Sequence, residues 1–196
     1  LMGRGSDPLM QRKLFGFLVL GSLPAALIGL TLEKQIGEIF SHPAFAASAI
    51  LVTGGVLFWS RRLPANGPDL RHLTMRLALG VGIAQAIAIL PGISRSGATI
   101  VTGMAFGLSM AAAATFSFLL SIPAVLGAIV LKSGDIQANS DGLGLEMLAA
   151  VALSAAVGLS SLGLLVRLGR ARRLWWFAPY CWLAGVVGLL GVMLTD

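Results

Sequence analysis

One short stretch combines the groups that hold an anion. Within Leu90-Pro91-Gly92-Ile93-Ser94-Arg95-Ser96-Gly97-Ala98-Thr99, four polar residues, Ser94, Arg95, Ser96 and Thr99, cluster around Gly92 and Gly97. An arginine guanidinium presents a planar fork of donors that fits phosphate in bidentate fashion and stays charged at any physiological pH. Glycines let backbone N–H groups approach an anion closely. A helix beginning near Gly97 would aim its free N–H groups and positive dipole end at the same place. Ser94 or Ser96 would be its natural N-cap. Such a group stabilises a phosphate, and more strongly the extra charge of a phosphoryl-transfer transition state. The competing reading is an arginine that closes the loop by pairing with backbone carbonyls.

The surroundings of Arg95 sharpen the case. It is the only charged residue between Leu77 and Leu131. At the centre of a bilayer an arginine costs about 2.5–3.5 kcal/mol or more, so it marks a functional position by default. The chain as a whole is membranous: of 196 residues, 57% are hydrophobic and 11% charged, with a mean hydropathy of +0.90. Soluble domains carry about 25% charged residues. The net charge of +6 would suit a nucleic-acid binder, but the charges sit between apolar spans, which argues against that class. A single cysteine, Cys181, excludes an internal disulfide and a cysteine-rich metal site, and reads as a small buried hydrophobe.

Uncharged segments run over 14–32, 43–60, 77–94, 96–131, 147–166 and 174–195. Each is long enough, or nearly so, for a helix across a hydrocarbon core of about 30 Å. The residues through Lys13 read as an extramembrane loop. Basic residues concentrate in three segments: Arg4, Arg12 and Lys13; Arg61, Arg62, Arg71 and Arg76; and Arg167, Arg170, Arg172 and Arg173. Segments 33–42 and 132–146 carry only Lys34 and Lys132, against Glu33, Glu38, Asp135, Asp141 and Glu146. The positive-inside rule places the first three segments in the cytoplasm and the other two outside.

Arg76 is then inside and Lys132 outside, so the stretch between them crosses an odd number of times. It is too long for one span and too short for three. The economical solution is a re-entrant hairpin over about 77–107 followed by one full span. Pro91-Gly92 and Gly97 would supply the break at its tip. A helix from Leu77 to Leu90 rises about 21 Å, which carries the tip well into the membrane. Non-helical backbone is tolerated at that depth only inside protein or beside a watery cavity. The alternative is that Arg95 caps a short loop between two ordinary spans. The expected fold is an all-α polytopic membrane bundle with a re-entrant hairpin and about five full transmembrane helices.

The anion grip is half of a mechanism. Hydrolysis also needs a base or nucleophile, and often a metal to neutralise diphosphate charge. No carboxylate lies inside a predicted span. Glu33, Glu38 and Glu146 read as solvated charges at span ends, and neither His42 nor His72 has metal-ligand company.

The run from Gln85 through Pro91-Gly92-Ile93-Ser94-Arg95-Ser96-Gly97-Ala98-Thr99 resembles the second signature of the undecaprenyl-diphosphate phosphatase family, the bacitracin-resistance type. Phe116-Ser117-Phe118-Leu119-Leu120-Ser121-Ile122-Pro123 resembles that family's next helix. The resemblance covers the whole chain. It implies an enzyme of the bacterial inner membrane that removes the terminal phosphate of undecaprenyl diphosphate, recycling the carrier lipid for wall synthesis and conferring bacitracin resistance. It further implies two inverted halves, with residues 1–76 the remainder of the first and 77–196 the second. Its active site would open to the periplasm. Carried over by position, Arg95 would bind the diphosphate with Ser94 and Thr99 beside it. Ser96, Gly92 and Gly97 would shape the loop, and Gln85 opens the signature.

The family's first signature, a Glu-x-x-x-Glu pair followed by Pro, paired serines and Gly-His, is missing. Gly29-Leu30-Thr31-Leu32-Glu33 mimics a few letters of it only. The family keeps its catalytic carboxylates there, so the expected divalent cation (Mg or Ca) would find most of its ligands outside this chain. These residues alone are expected to be N-terminally incomplete and poorly active. A polyprenyl diphosphate is the expected partner, and a homodimer is left open. Two other readings stand beside the phosphatase: a transporter or flippase for an anionic lipid, which broken mid-membrane helices suit equally well, and an inactive diphosphate-binding fragment.

Overall fold

The computed structural model describes residues 8–64, 66–138, 145–170 and 174–195. Arg4, Asp141, Arg172 and Arg173 of the charge pattern lie outside the described residues. Among those residues all regular structure is helical. The helices are α1 (Pro8–Thr31), α2 (Glu33–Phe40), α3 (Pro43–Trp59), α4 (Met75–Ile87), α5 (Arg95–Ala105), α6 (Met110–Ala138), α7 (Leu145–Arg170) and α8 (Phe177–Thr195). Segments Pro8–Thr31, Pro43–Arg62, Met110–Leu131 and Leu174–Leu194 are long and apolar enough to cross a membrane. The 26 residues of α7 rise about 39 Å and include the apolar run Met147–Ser161. The chain is thus a multi-pass helical membrane protein.

Helices α4 and α5, with 13 and 11 residues, rise only about 20 Å and 17 Å, too little to span. They form the expected hairpin, and its base shows why. The Ser109 N–H after α5 donates to the Pro68 carbonyl before α4 at 3.0 Å. Gly67 approaches the Gly107 carbonyl so closely that a Cβ there would collide with it. The chain therefore leaves the hairpin on the side where it entered, and it is the shortness of α4 and α5 that argues against a loop between two ordinary spans.

Local chemistry sets each end of the pair. The Asp69 carboxylate accepts the Arg71 N–H at 3.0 Å and starts a single 3-10 turn, a bond that holds its pKa below the ordinary carboxylate value. The Thr74 hydroxyl accepts the Leu77 N–H and caps α4. At the far end α5 stops in a Schellman motif: Gly107 at φ +96° donates to Met104, and Leu108 donates to Gly103. Pro91 lacks a donor and Gly92 adopts φ +88°, so the helical ladder cannot continue through the tip.

Small residues bring the helices together, as expected where lipid removes the hydrophobic drive between them. Helix α5 lies between α4 and α6, α4 rests on α1, and α3 pairs with α8. Leu77, Val81, Ile100, Met104, Phe116 and Leu120 form the shared core. Along α3 and α8, Gly54 meets Trp182, Leu51 meets Gly185 and Ala47 meets Gly188, an antiparallel register built on glycine. A Cβ on Gly54 would press on the Trp182 indole and the Ala178 carbonyl, whereas one on Gly55 would meet nothing. Gly54→Ala is therefore expected to destabilise the detergent-solubilised protein by about 1–3 kcal/mol. Gly55→Ala should be neutral or slightly stabilising through helix propensity. Thermal midpoints of the two variants decide it, and equal midpoints would contradict the α3–α8 contact.

Three expectations need correction. Residues 8–13, read as loop, are the first turns of α1. The outer segment after α1 is helical as α2, whose Ile36 and Ile39 are half-buried while Lys34, Gln35 and Glu38 are exposed. Gly97 does not break the chain, because α5 already begins at Arg95 and the turn is made by residues 88–94.

A candidate anion site at the hairpin tip

The tip rests against α3. A Cβ on Gly92 would collide with the Ala46 carbonyl oxygen, so only glycine fits. The Thr53 hydroxyl donates to the Gly92 carbonyl at 2.9 Å and accepts the Ser94 N–H at 3.0 Å. Thr53 lies ten residues into α3, about 15 Å along its axis from the Pro43 end, and Ala46 about 5 Å. The tip is thus held along α3 between Ala46 and Thr53.

From there α5 begins. The Ser94 side chain accepts the Gly97 N–H at 3.2 Å as N-cap, and its carbonyl accepts the Ala98 N–H at 2.8 Å. The hydroxyl proton of Ser94 has no acceptor among the described residues. The N–H groups of Arg95 and Ser96, the first two of the helix, find no acceptor among the described residues. Gly97 sits one turn in, where a Cβ would crowd Ser94 and Leu57. A small cavity opens between α3 and this first turn, lined by Val52, Thr53, Val56, Ile93, Ser94, Gly97 and Ala98.

Arg95 is half-buried and its Nη2 is fully buried without a partner. Neither a carboxylate nor a backbone carbonyl pairs with its guanidinium among the described residues. A loop-closing arginine would make those carbonyl bonds, so the guanidinium is available to a ligand. The Ser96 hydroxyl is half-buried beside it.

Thr99 is buried at 1% exposure. Its hydroxyl lies 2.8 Å from the Arg95 carbonyl and 2.6 Å from the Ser117 hydroxyl on α6. It therefore ties the first turn of α5 to α6 from behind. Gln85, near the end of α4, is 2% exposed, and both amide atoms lack a hydrogen-bond partner. A buried orphan amide calls for a ligand or water.

The structure brings Ser94, Arg95, Ser96, Gly92, Gly97 and Thr99 together at one helix start. Thr53 and Ser117 escaped the sequence reading. Ser117 stood in the run Phe116–Pro123 without an assigned task, and nothing local marks Thr53. The donor set is cationic and N–H-rich, and among the described residues no three His, Cys, Asp or Glu side chains gather to hold a metal ion. A divalent cation does not fit these residues by themselves.

Fold and site define a polytopic helical membrane protein whose short hairpin carries an unpaired arginine and free N–H groups at its tip. The match to known proteins narrows that class. The chain belongs to the bacitracin resistance protein BacA family, whose model matches residues 4–187. It is 43% identical to an undecaprenyl-diphosphatase of Rhodopirellula baltica, over 93% of this chain and 72% of that protein. A relative of the same name from Desulfatibacillum aliphaticivorans is 39% identical over 88% of this chain and 63% of its own length. Another, from Methanothermobacter thermautotrophicus, is 39% identical over 90% of this chain and 99% of its own length. The chain spans about two thirds of the length of most curated relatives it matches.

Proposed function

We propose that the protein acts on undecaprenyl diphosphate or a close polyprenyl diphosphate, in a hydrolysis that releases the terminal phosphate and leaves the lipid monophosphate. The observation that carries this reading is the unpaired Arg95 guanidinium beside two free N–H groups at the start of α5. Arg95 clamps the terminal phosphoryl group, the Arg95 and Ser96 N–H groups take a second oxygen, and Ser94 donates from the other side. These donors are fixed before substrate arrives, so they favour the charge that builds on the equatorial oxygens during transfer. Water supplies the oxygen that attacks phosphorus, and the anhydride P–O bond breaks with the lipid phosphate as leaving group. Thr99 serves from behind by holding the Arg95 carbonyl, Gly92 and Gly97 shape the loop, and the Gln85 amide completes the phosphate environment. The expected divalent cation has no ligand set here, and no step is routed through it. In keeping with family and charge pattern, the protein sits in the bacterial inner membrane with its site toward the periplasm, recycles carrier lipid and contributes to bacitracin resistance.

No described carboxylate faces the grip, which favours a second reading for these residues alone: they bind the diphosphate without cleaving it. The purified chain in detergent is expected to bind a polyprenyl diphosphate at least tenfold more tightly than the matching polyprenol; negligible phosphate release is what the binding-only reading adds. Equal affinity for the uncharged lipid would sink the grip. Release at rates on the order of 1 s⁻¹ or faster, ordinary for enzymes, would sink the binding-only reading and favour the enzyme. Phosphate release in detergent also excludes a pure flippase, which cleaves no bond.

A further inference from the structure

Most hydroxyls on the membrane helices are turned inward on their own backbone. Ser22, Thr31, Ser48, Thr115 and Ser160 each donate to the carbonyl four residues earlier. Such bonds satisfy the side chain locally and carry no tertiary information. Thr53 breaks the pattern. It is 6% exposed, and its hydroxyl reaches across to Gly92 and Ser94, donating to one and accepting from the other.

Only a hydroxyl can do both with one atom. The two bonds fix the backbone on either side of Ile93, immediately before the cap of α5. Gly92 tolerates both signs of φ, so without a second anchor this segment is free to rotate about it. Thr53 also takes the Ser94 N–H out of play, which leaves the Arg95 and Ser96 N–H groups as the pair that faces a ligand.

We propose that Thr53 is a positioning residue for the diphosphate grip: through its bonds to Gly92 and Ser94 it sets the direction in which the Ser94 hydroxyl and the first N–H groups of α5 converge. The inference rests on the anion-grip reading above and goes beyond it by giving α3 a part in the site. It predicts that loss of the hydroxyl loosens the tip and weakens anion binding while the helix bundle stays intact.

The test uses the full chain in detergent as wild type, Thr53→Val and Thr53→Ser, with inorganic diphosphate as the probe. Hydrogen exchange at residues 92–96 reports the tip, calorimetric titration reports binding, and the thermal midpoint reports the fold. Thr53→Val is expected to exchange faster at the tip and to bind diphosphate at least tenfold more weakly, with its midpoint within a few degrees of wild type. Thr53→Ser keeps the hydroxyl and should stay within threefold of wild type. Wild-type affinity in Thr53→Val would overturn the proposal. So would an equal loss in Thr53→Ser, which would assign the effect to the methyl group. A wild type that binds no diphosphate, with Thr53→Val still loosening the tip, strikes the anion reading itself and leaves Thr53 a purely structural link. If the valine variant is recovered poorly, Thr53→Ala is read by the same criteria.

Discussion

Arg95→Ala abolishes measurable diphosphate binding and, in a catalytically competent family protein, lowers turnover by about 10³-fold or more. Removal of one preorganised donor typically costs 10²–10³ in rate, and a charge-stabilising arginine in phosphoryl transfer is worth roughly 10³–10⁵. Stability should move the other way. The guanidinium has a fully buried Nη2 with no partner, so the folded protein bears its desolvation without compensation. The alanine variant is therefore expected to melt at the same temperature as wild type or higher. Arg95→Lys keeps the charge and loses the fork, and should fall between the two. Phosphate-release kinetics, titration and thermal midpoints together check this. Unchanged binding and turnover in Arg95→Ala would remove the central residue of the proposal.

The second large effect is expected at Gly92. Its φ of +88° costs an L-residue about 1–2 kcal/mol. A Cβ there also runs into the Ala46 carbonyl oxygen, a backbone atom inside α3 that cannot swing aside. Overpacking of this kind adds about 1–3 kcal/mol, so Gly92→Ala should lose roughly 2–5 kcal/mol and diphosphate binding with it. Gly107 is the internal control. It has a similar φ of +96°, but a Cβ on it would meet nothing. Gly107→Ala should therefore show the conformational cost alone and keep its affinity. Two alanine variants that melt and bind alike would mean that the tip does not rest on α3 as described.

Much of this arrangement could be read from residue order. The hairpin followed from charge parity between Arg76 and Lys132, and it needed no knowledge of packing. The sequence offered Ser94 or Ser96 as the N-cap, and the structure takes Ser94. The glycines and hydroxyls around Arg95 pointed to an anion, the reading proposed above, because those residue types together suit one. What stayed hidden is equally instructive. A lone threonine such as Thr53 in an apolar span has an ordinary local explanation, and only tertiary approach reveals its different use. The start of α5 was misplaced by two residues because Gly97 reads as a breaker, whereas its N–H is the one that Ser94 caps. Helix α2 was missed because its Glu33-Lys34-Gln35 opening reads as an outer loop. Its helical sense depends on seating Ile36 and Ile39 against its neighbours.

The glycine-lined seam between α3 and α8 bears on how the protein comes to exist at all. Helix α3 is made before α8, and the membrane insertion machinery delivers them in that order. Until α8 arrives, the face of α3 that carries Ala47, Leu51 and Gly54 lacks the neighbour it meets in the folded chain. The same stretch of that helix must meanwhile receive the hairpin tip through Ala46 and Thr53. Assembly is therefore non-local: α8 closes a structure whose chemistry was translated well before it. A ribosome that stops short of α8 would leave a chain with every residue of the grip and an unsupported wall behind it.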